Sequence, residues 1–172
     1  MMFLHLYYFE DDPNGEFVVQ SGYYNAKATL DWIVSQQTKG NIASTLTNLV
    51  VMGCSAGSIG AQLWGNNILK ELKWKTAAVV PDSYAGVFPD GTQGPLIYDY
   101  GACTVMNNFV TPESGLVEMC NNETITLQEI MKYNLETKPN IPYGYLQVRS
   151  MLIYFLKITL CGVFFSFFFP SS

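Results

Sequence analysis

The chain has 172 residues, of which 49% are hydrophobic, 15% aromatic and 13% charged, with a formal net charge of −5. That length can hold one domain with a sizeable core, and the acidic balance leaves no basic patch, which argues against nucleic acid as a partner. Its four cysteines lack metal-ligand spacing, so no metal is expected, and no motif calls for a cofactor.

In chain order, Leu4 to Phe9 and Phe17 to Val19 read as strands, separated by the turn signal Asp11-Asp12-Pro13-Asn14-Gly15. A helix from about Tyr24 to Gln37 carries Ala26, Leu30, Ile33 and Val34 on one face, suited to packing on a sheet. Thr47 to Met52 is mostly apolar and β-branched, as expected of a central parallel strand covered on both faces. A helix follows, with Ile59, Leu63, Trp64, Ile68, Leu69 and Leu72 as its apolar stripe. Thr76 to Val80 reads as a strand that Pro81 closes. Residues 82–122 are rich in Gly, Pro, Asn and Tyr without periodicity, which predicts long loops over one face. Thr126-Leu127-Gln128-Glu129 is a capping box that starts a helix running to about Asn134. Tyr143 to Val148 reads as the last strand. The alternation of strand and helix predicts a doubly wound, mostly parallel α/β sheet.

Between the Thr47–Met52 strand and its helix lies Gly53-Cys54-Ser55-Ala56-Gly57. A Gly-x-Ser-x-Gly turn from a buried strand into a helix is the nucleophile elbow of α/β-hydrolases, which holds a serine hydroxyl above the sheet edge. Gly53 and Gly57 flank the serine where a tight turn has no room for side chains. The backbone N–H of Ala56 then offers one oxyanion donor. Cys54 reads as a small buried residue.

These residues resemble the Gly-x-Ser-Ala-Gly-Gly elbow of the pectin acetylesterase family, which includes Notum-type carboxylesterases. The resemblance runs from about Gly22 to Leu146. Gly22 to Trp32 is similar to the family's helix before the elbow strand. Asp82-Ser83-Tyr84-Ala85-Gly86-Val87-Phe88-Pro89-Asp90 is similar to its Asp-Ser/Ala-Gly-aromatic-Phe-x-Asp segment, with a two-residue insertion. Thr124 to Ile130 and Pro139 to Leu146 are similar to a later helix and strand. One departure is Ser58, which stands where the elbow's final glycine usually does. The resemblance implies an incomplete α/β-hydrolase-like domain over 1–150, because full members of the family are considerably larger. It implies a serine carboxylic-ester hydrolase acting through Ser55 on an acylated polysaccharide or glycan, most simply an O-acetyl ester. It also implies that Phe88 lines an acyl pocket and that Cys103 pairs with Cys120.

A serine hydroxyl needs a general base, usually a histidine oriented by a carboxylate, and α/β-hydrolases supply them in the order Ser, Asp or Glu, His. The only histidine, His5, precedes Ser55 and reads as a half-exposed strand residue. Asp82 has the position of a triad acid, but the resemblance assigns that role to a later Asp, and Gln147 to Met151 contains none. Asp82 is therefore read as organising its own loop. Without triad Asp and His this polypeptide is expected to be inactive. The alternatives are a non-catalytic, membrane-anchored protein of hydrolase fold, or a fragment of a Notum-type protein lipid deacylase.

The tail, 151–172, differs from the rest. Met151 to Phe169 is almost wholly apolar, with Lys157 as its one charge and six of the chain's eleven Phe residues. It barely meets the length of a membrane span, with a costly charge near its middle. It reads as non-native read-through or, alternatively, as a membrane anchor, and a membrane is a partner only if the tail is real. Met1 to Leu4 is too short an apolar run for a signal peptide. The sequon Asn122-Glu123-Thr124 and the cysteine pairing that the resemblance implies nevertheless suggest a secreted or extracellular parent protein.

Overall fold

A computed structural model of the chain describes residues 6–7, 18–19, 22–83 and 88–146. The 151–172 tail, His5 and Gln147 to Met151 lie outside these residues. Leu6–Tyr7 (β1) and Val18–Val19 (β2) pair antiparallel. Helix α1 spans Gly22–Lys39 and buries Ala26, Leu30, Ile33 and Gln37. Strand β3, Leu46–Cys54, leads through Ser55 into α2, Ala56–Glu71, and then into β4, Trp74–Asp82.

Strands β3 and β4 pair in parallel over eight positions, from Leu46 opposite Trp74 to Cys54 opposite Asp82. Beyond β4 the ladder continues in parallel through Tyr143 opposite Val79 and Leu146 opposite Asp82. Four backbone bonds hold this third segment: Val79 N–H to Pro142 C=O, Gly144 N–H to Val79 C=O, Leu146 N–H to Pro81 C=O and Ser83 N–H to Leu146 C=O. The chain is thus a mixed α/β protein built on a parallel sheet.

Two expectations about the strands change. Pro81 does not end β4, which runs through it to Asp82. The odd residues of β4 bond the segment 143–146, so Pro81 forfeits a single N–H while its carbonyl still accepts from Leu146 at 3.0 Å. A proline inside a ladder removes only the bond its nitrogen would have donated. The second change concerns burial. Leu49, Val51, Val79 and Pro81 are buried, but Val50, Met52, Ala78 and Val80, on the opposite face, are only half-buried. Helices on both faces, as a doubly wound sheet requires, are therefore not seen among the described residues.

Helix α2 organises the core. Its Ile59, Leu63, Trp64, Ile68 and Leu69 are all buried, each contributing about 2 kcal/mol of transfer free energy. Gly65 lets the helix lie against β4, since a Cβ there would stand 3.3 Å from a Val79 methyl. The Trp64 ring meets Phe109 edge-on at 4.6 Å and Tyr23 at 5.4 Å, joining α2 to α1 and to the segment after β4. Buried Gln37 anchors the end of α1: its amide donates to Lys73 C=O at 3.0 Å and its oxygen accepts from Lys73 N–H at 3.2 Å.

The predicted long loops of 82–122 contain helices instead. These are α3 (Gln93–Asp99), α4 (Ala102–Met106), a 3-10 turn at Pro112–Ser114 and α5 (Leu116–Asn121). Cys103 on α4 and Cys120 on α5 form a disulfide. Helix α6, Leu127–Thr137, starts at the capping box: the Thr126 hydroxyl accepts from Glu129 N–H, and the Glu129 carboxylate accepts from Thr126 N–H. It extends one turn past Asn134, whose buried amide donates to Gln62 C=O at 2.8 Å and accepts from Asn66 at 3.0 Å. Tyr143 completes this network by donating to Asn66 Oδ1 at 2.7 Å.

Two predictions follow from this packing. Replacing both Cys103 and Cys120 by Ser should lower unfolding free energy by about 3 kcal/mol in denaturant titration. Burial pushes the Tyr145 phenol up from 10.0 to about 12, and burial followed by the neighbouring Tyr145 raises Tyr143 as well. Both groups ionise earlier in the unfolded chain than in the folded one. The Tyr145 contribution is complete below pH 10 and is lost as pH rises through about 12, and Tyr143 acts in the same direction. Tyr145→Phe should reduce that alkaline fall in stability, measured by denaturation at stepped pH.

Candidate functional site

The turn between β3 and α2 is built by a close approach of strand and helix. A Cβ on Gly53 would overlap the Gly57 carbonyl, so no other residue fits the end of β3 while α2 starts where it does. The chain reverses through Ser55, held at φ 55° and ψ −127°. A non-glycine residue in that region stores about 1–3 kcal/mol and persists only where its surroundings over-determine it. Here two bonds do so: Ser55 N–H donates to Asp82 C=O at 2.9 Å, and Ser55 C=O accepts from Ser58 N–H at 2.9 Å.

This arrangement sets the Ser55 side chain, half-buried, at the carboxyl end of the sheet and the amino end of a sixteen-residue helix. Ala56 is the first helical residue, so its N–H has no acceptor inside α2. The helix dipole adds partial positive charge at the same point. An oxyanion forming beside Ser55 would meet both. Cys54 is half-buried rather than buried, and its sulfur is not a free thiol.

Asp82 ends the neighbouring strand directly across from Cys54, and it is 7% exposed. Its carboxylate accepts from the Ser83 hydroxyl at 2.8 Å, a bond within its own turn. Ser83 itself has φ 72°, so two adjacent strand ends each carry a serine in the left-handed half of the map. The second of these was not expected, and no sequence signal distinguishes Ser83 from an ordinary loop serine. Residues 84–87 lie outside the described residues.

Phe88 is half-buried and packs on the core; it also lines a surface depression with Pro89, Gly91, Gly94 and Thr124, and Ser55 is not among that lining. Cys103 and Cys120 tie α4 to α5. No histidine occurs among the described residues, and His5 is the one histidine of the chain. No cluster of three metal-ligating side chains occurs among the described residues.

Ser58 stands where the resemblance would place the elbow's final glycine. It is fully buried on the first turn of α2, and its hydroxyl has no hydrogen-bond partner. An unsatisfied buried hydroxyl costs about 1–3 kcal/mol. Ser58→Ala should therefore raise stability by about 1 kcal/mol, read from the denaturation midpoint. Gly53→Ala should cost about 3 kcal/mol or more, because the clash is with backbone that no rotamer can relieve.

No protein-family model, curated protein or solved structure matches this chain.

Proposed function

We propose that the chain carries the nucleophile half of a serine carboxylic-ester hydrolase of the pectin acetylesterase kind, within an α/β-hydrolase-like fold. The observation that carries this reading is the strained backbone of Ser55 at a strand-to-helix turn, with the Ala56 N–H beside it. A loop linking a strand to a helix needs no such strain; a turn that must present one hydroxyl above a sheet edge does.

In the proposed reaction the Ser55 oxygen attacks the carbonyl carbon of an ester. The carbonyl oxygen becomes an oxyanion, accepting a hydrogen bond from the Ala56 N–H at the positive end of α2. Collapse expels the alcohol and leaves acyl-Ser55, which water hydrolyses to the acid. Both steps need a group to take and return a proton. Asp82 accepts from the Ser83 hydroxyl, the chain's one histidine, His5, precedes Ser55 and lies outside the described residues, and the resemblance assigns the triad acid to a later Asp that Gln147 to Met151 lacks. The chain alone is therefore proposed to be inactive or nearly so. The substrate class, an O-acetyl ester on a polysaccharide or glycan, rests on the resemblance around Ser55, as does a secreted parent protein; a Notum-type acyl ester on a protein is the variant of the same chemistry.

The test supplies the missing base. The full chain is incubated with p-nitrophenyl acetate, with and without imidazole, and acetyl-Ser55 is sought by peptide mass spectrometry. Without imidazole, the chain and its Ser55→Ala variant should release p-nitrophenol equally. With imidazole, acetyl should accumulate on Ser55. Its absence from a folded sample would contradict the reading and favour a non-catalytic protein of similar fold.

A further inference from the structure

The turn between α5 and α6 carries chemistry that ester hydrolysis does not use. Asn122-Glu123-Thr124 is an N-glycosylation acceptor sequence with a middle residue other than proline. Such triplets also arise by accident, so the motif alone does not mark a site. Two independent observations separate this one from that background.

The first is exposure. Residues 121–124 are all exposed, on a turn that closes α5 at Asn122 and reverses through Glu123 at φ 57°. Asn122 also stands at the rim of an open depression lined by Asn107, Val110, Val117 and Glu118, which leaves space for a first sugar. The second is redox environment. Asn122 lies two residues after Cys120, which is bonded to Cys103, and none of the three described cysteines is a free thiol. Such disulfides form and persist in oxidising compartments, of which the endoplasmic reticulum lumen is one. The enzyme that reads Asn-x-Thr works in that same compartment.

We propose that Asn122 carries an N-linked glycan. The Asn122 side-chain nitrogen attacks the anomeric carbon of a lipid-pyrophosphate-linked oligosaccharide. A nitrogen–carbon bond forms, the carbon–oxygen bond to pyrophosphate breaks, the amide loses one proton and the lipid pyrophosphate leaves. Thr124 supplies the hydroxyl that the transferase reads. In the folded turn that hydroxyl donates to Met119 C=O at 3.1 Å and stays exposed, with its lone pairs open to an incoming donor. The glycan then projects from a point that no helix of the core needs. The inference does not rest on the ester-hydrolase reading, and either can fail alone.

The full chain, directed into the secretory pathway of cultured cells by an added leader, is treated with peptide N-glycosidase in heavy-oxygen water. An occupied Asn122 is converted to isotopically labelled Asp and read by peptide mass spectrometry. The expected result is label at Asn122, loss of the glycosidase-sensitive gel shift in Asn122→Gln and Thr124→Ala, and its retention in Thr124→Ser. An unlabelled Asn122 peptide in chain that carries the Cys103–Cys120 bond would overturn the proposal. So would a gel shift that survives Thr124→Ala.

Discussion

The approach of the β3 end to the α2 start determines the geometry of the candidate site at Ser55. Gly53 and the Gly57 carbonyl are so close that a single methyl group would overlap them. With strand and helix fixed at that separation, the connecting residue has little choice of backbone, and Ser55 takes φ 55°. The strain is held by burial on both sides. Leu49 and Val51 fix the strand, Ile59 and Leu63 fix the helix, and the Asp82 carbonyl pins the turn to β4. Packing a sheet thus positions a hydroxyl, an oriented N–H and a helix dipole within one turn of chain.

The same core explains why the site depends on distant residues. Helix α2 is held from behind by a polar network, Gln62 carbonyl to Asn134 to Asn66 to Tyr143, that reaches α6 and the third sheet segment. A partly satisfied buried network costs stability and a closed one fixes position. This network is closed along its length, whereas the Ser58 hydroxyl nearer the site is not. The region around Ser55 therefore carries two destabilising features, a strained serine and an orphan hydroxyl. Local rules of sequence and structure tend to fail at functional sites, where that cost is retained for another reason.

Much of the β3–α2–β4 unit was legible because its signals are local and strong. The apolar stripe of α2, the β-branched run of β3 and the capping box at Thr126 each specify their element with little help from elsewhere. The short helices α3 to α5 were not legible. None exceeds seven residues, none has a side-chain cap, and two start from a left-handed glycine. They exist because Ile97, Val105, Met106 and Leu116 are buried and because Cys103 meets Cys120, all of which are tertiary facts. Pro81 misled for a related reason: whether a proline breaks a strand depends on which neighbour its nitrogen faces, and sequence does not show that. Of the site, Gly-x-Ser-x-Gly pointed to Ser55, while nothing in the sequence marked Ser83 as its strained counterpart.

Backbone strain at Ser55 is measurable without any substrate. The most direct measurement compares the unfolding free energies of Ser55→Gly and Ser55→Ala in the full chain. Both remove the hydroxyl, but only glycine adopts φ 55° without steric cost. The account predicts that Ser55→Gly is the more stable of the two by about 1–3 kcal/mol. Equal stabilities, or an advantage for alanine, would mean that Ser55 sits in an ordinary loop and that the turn stores no strain.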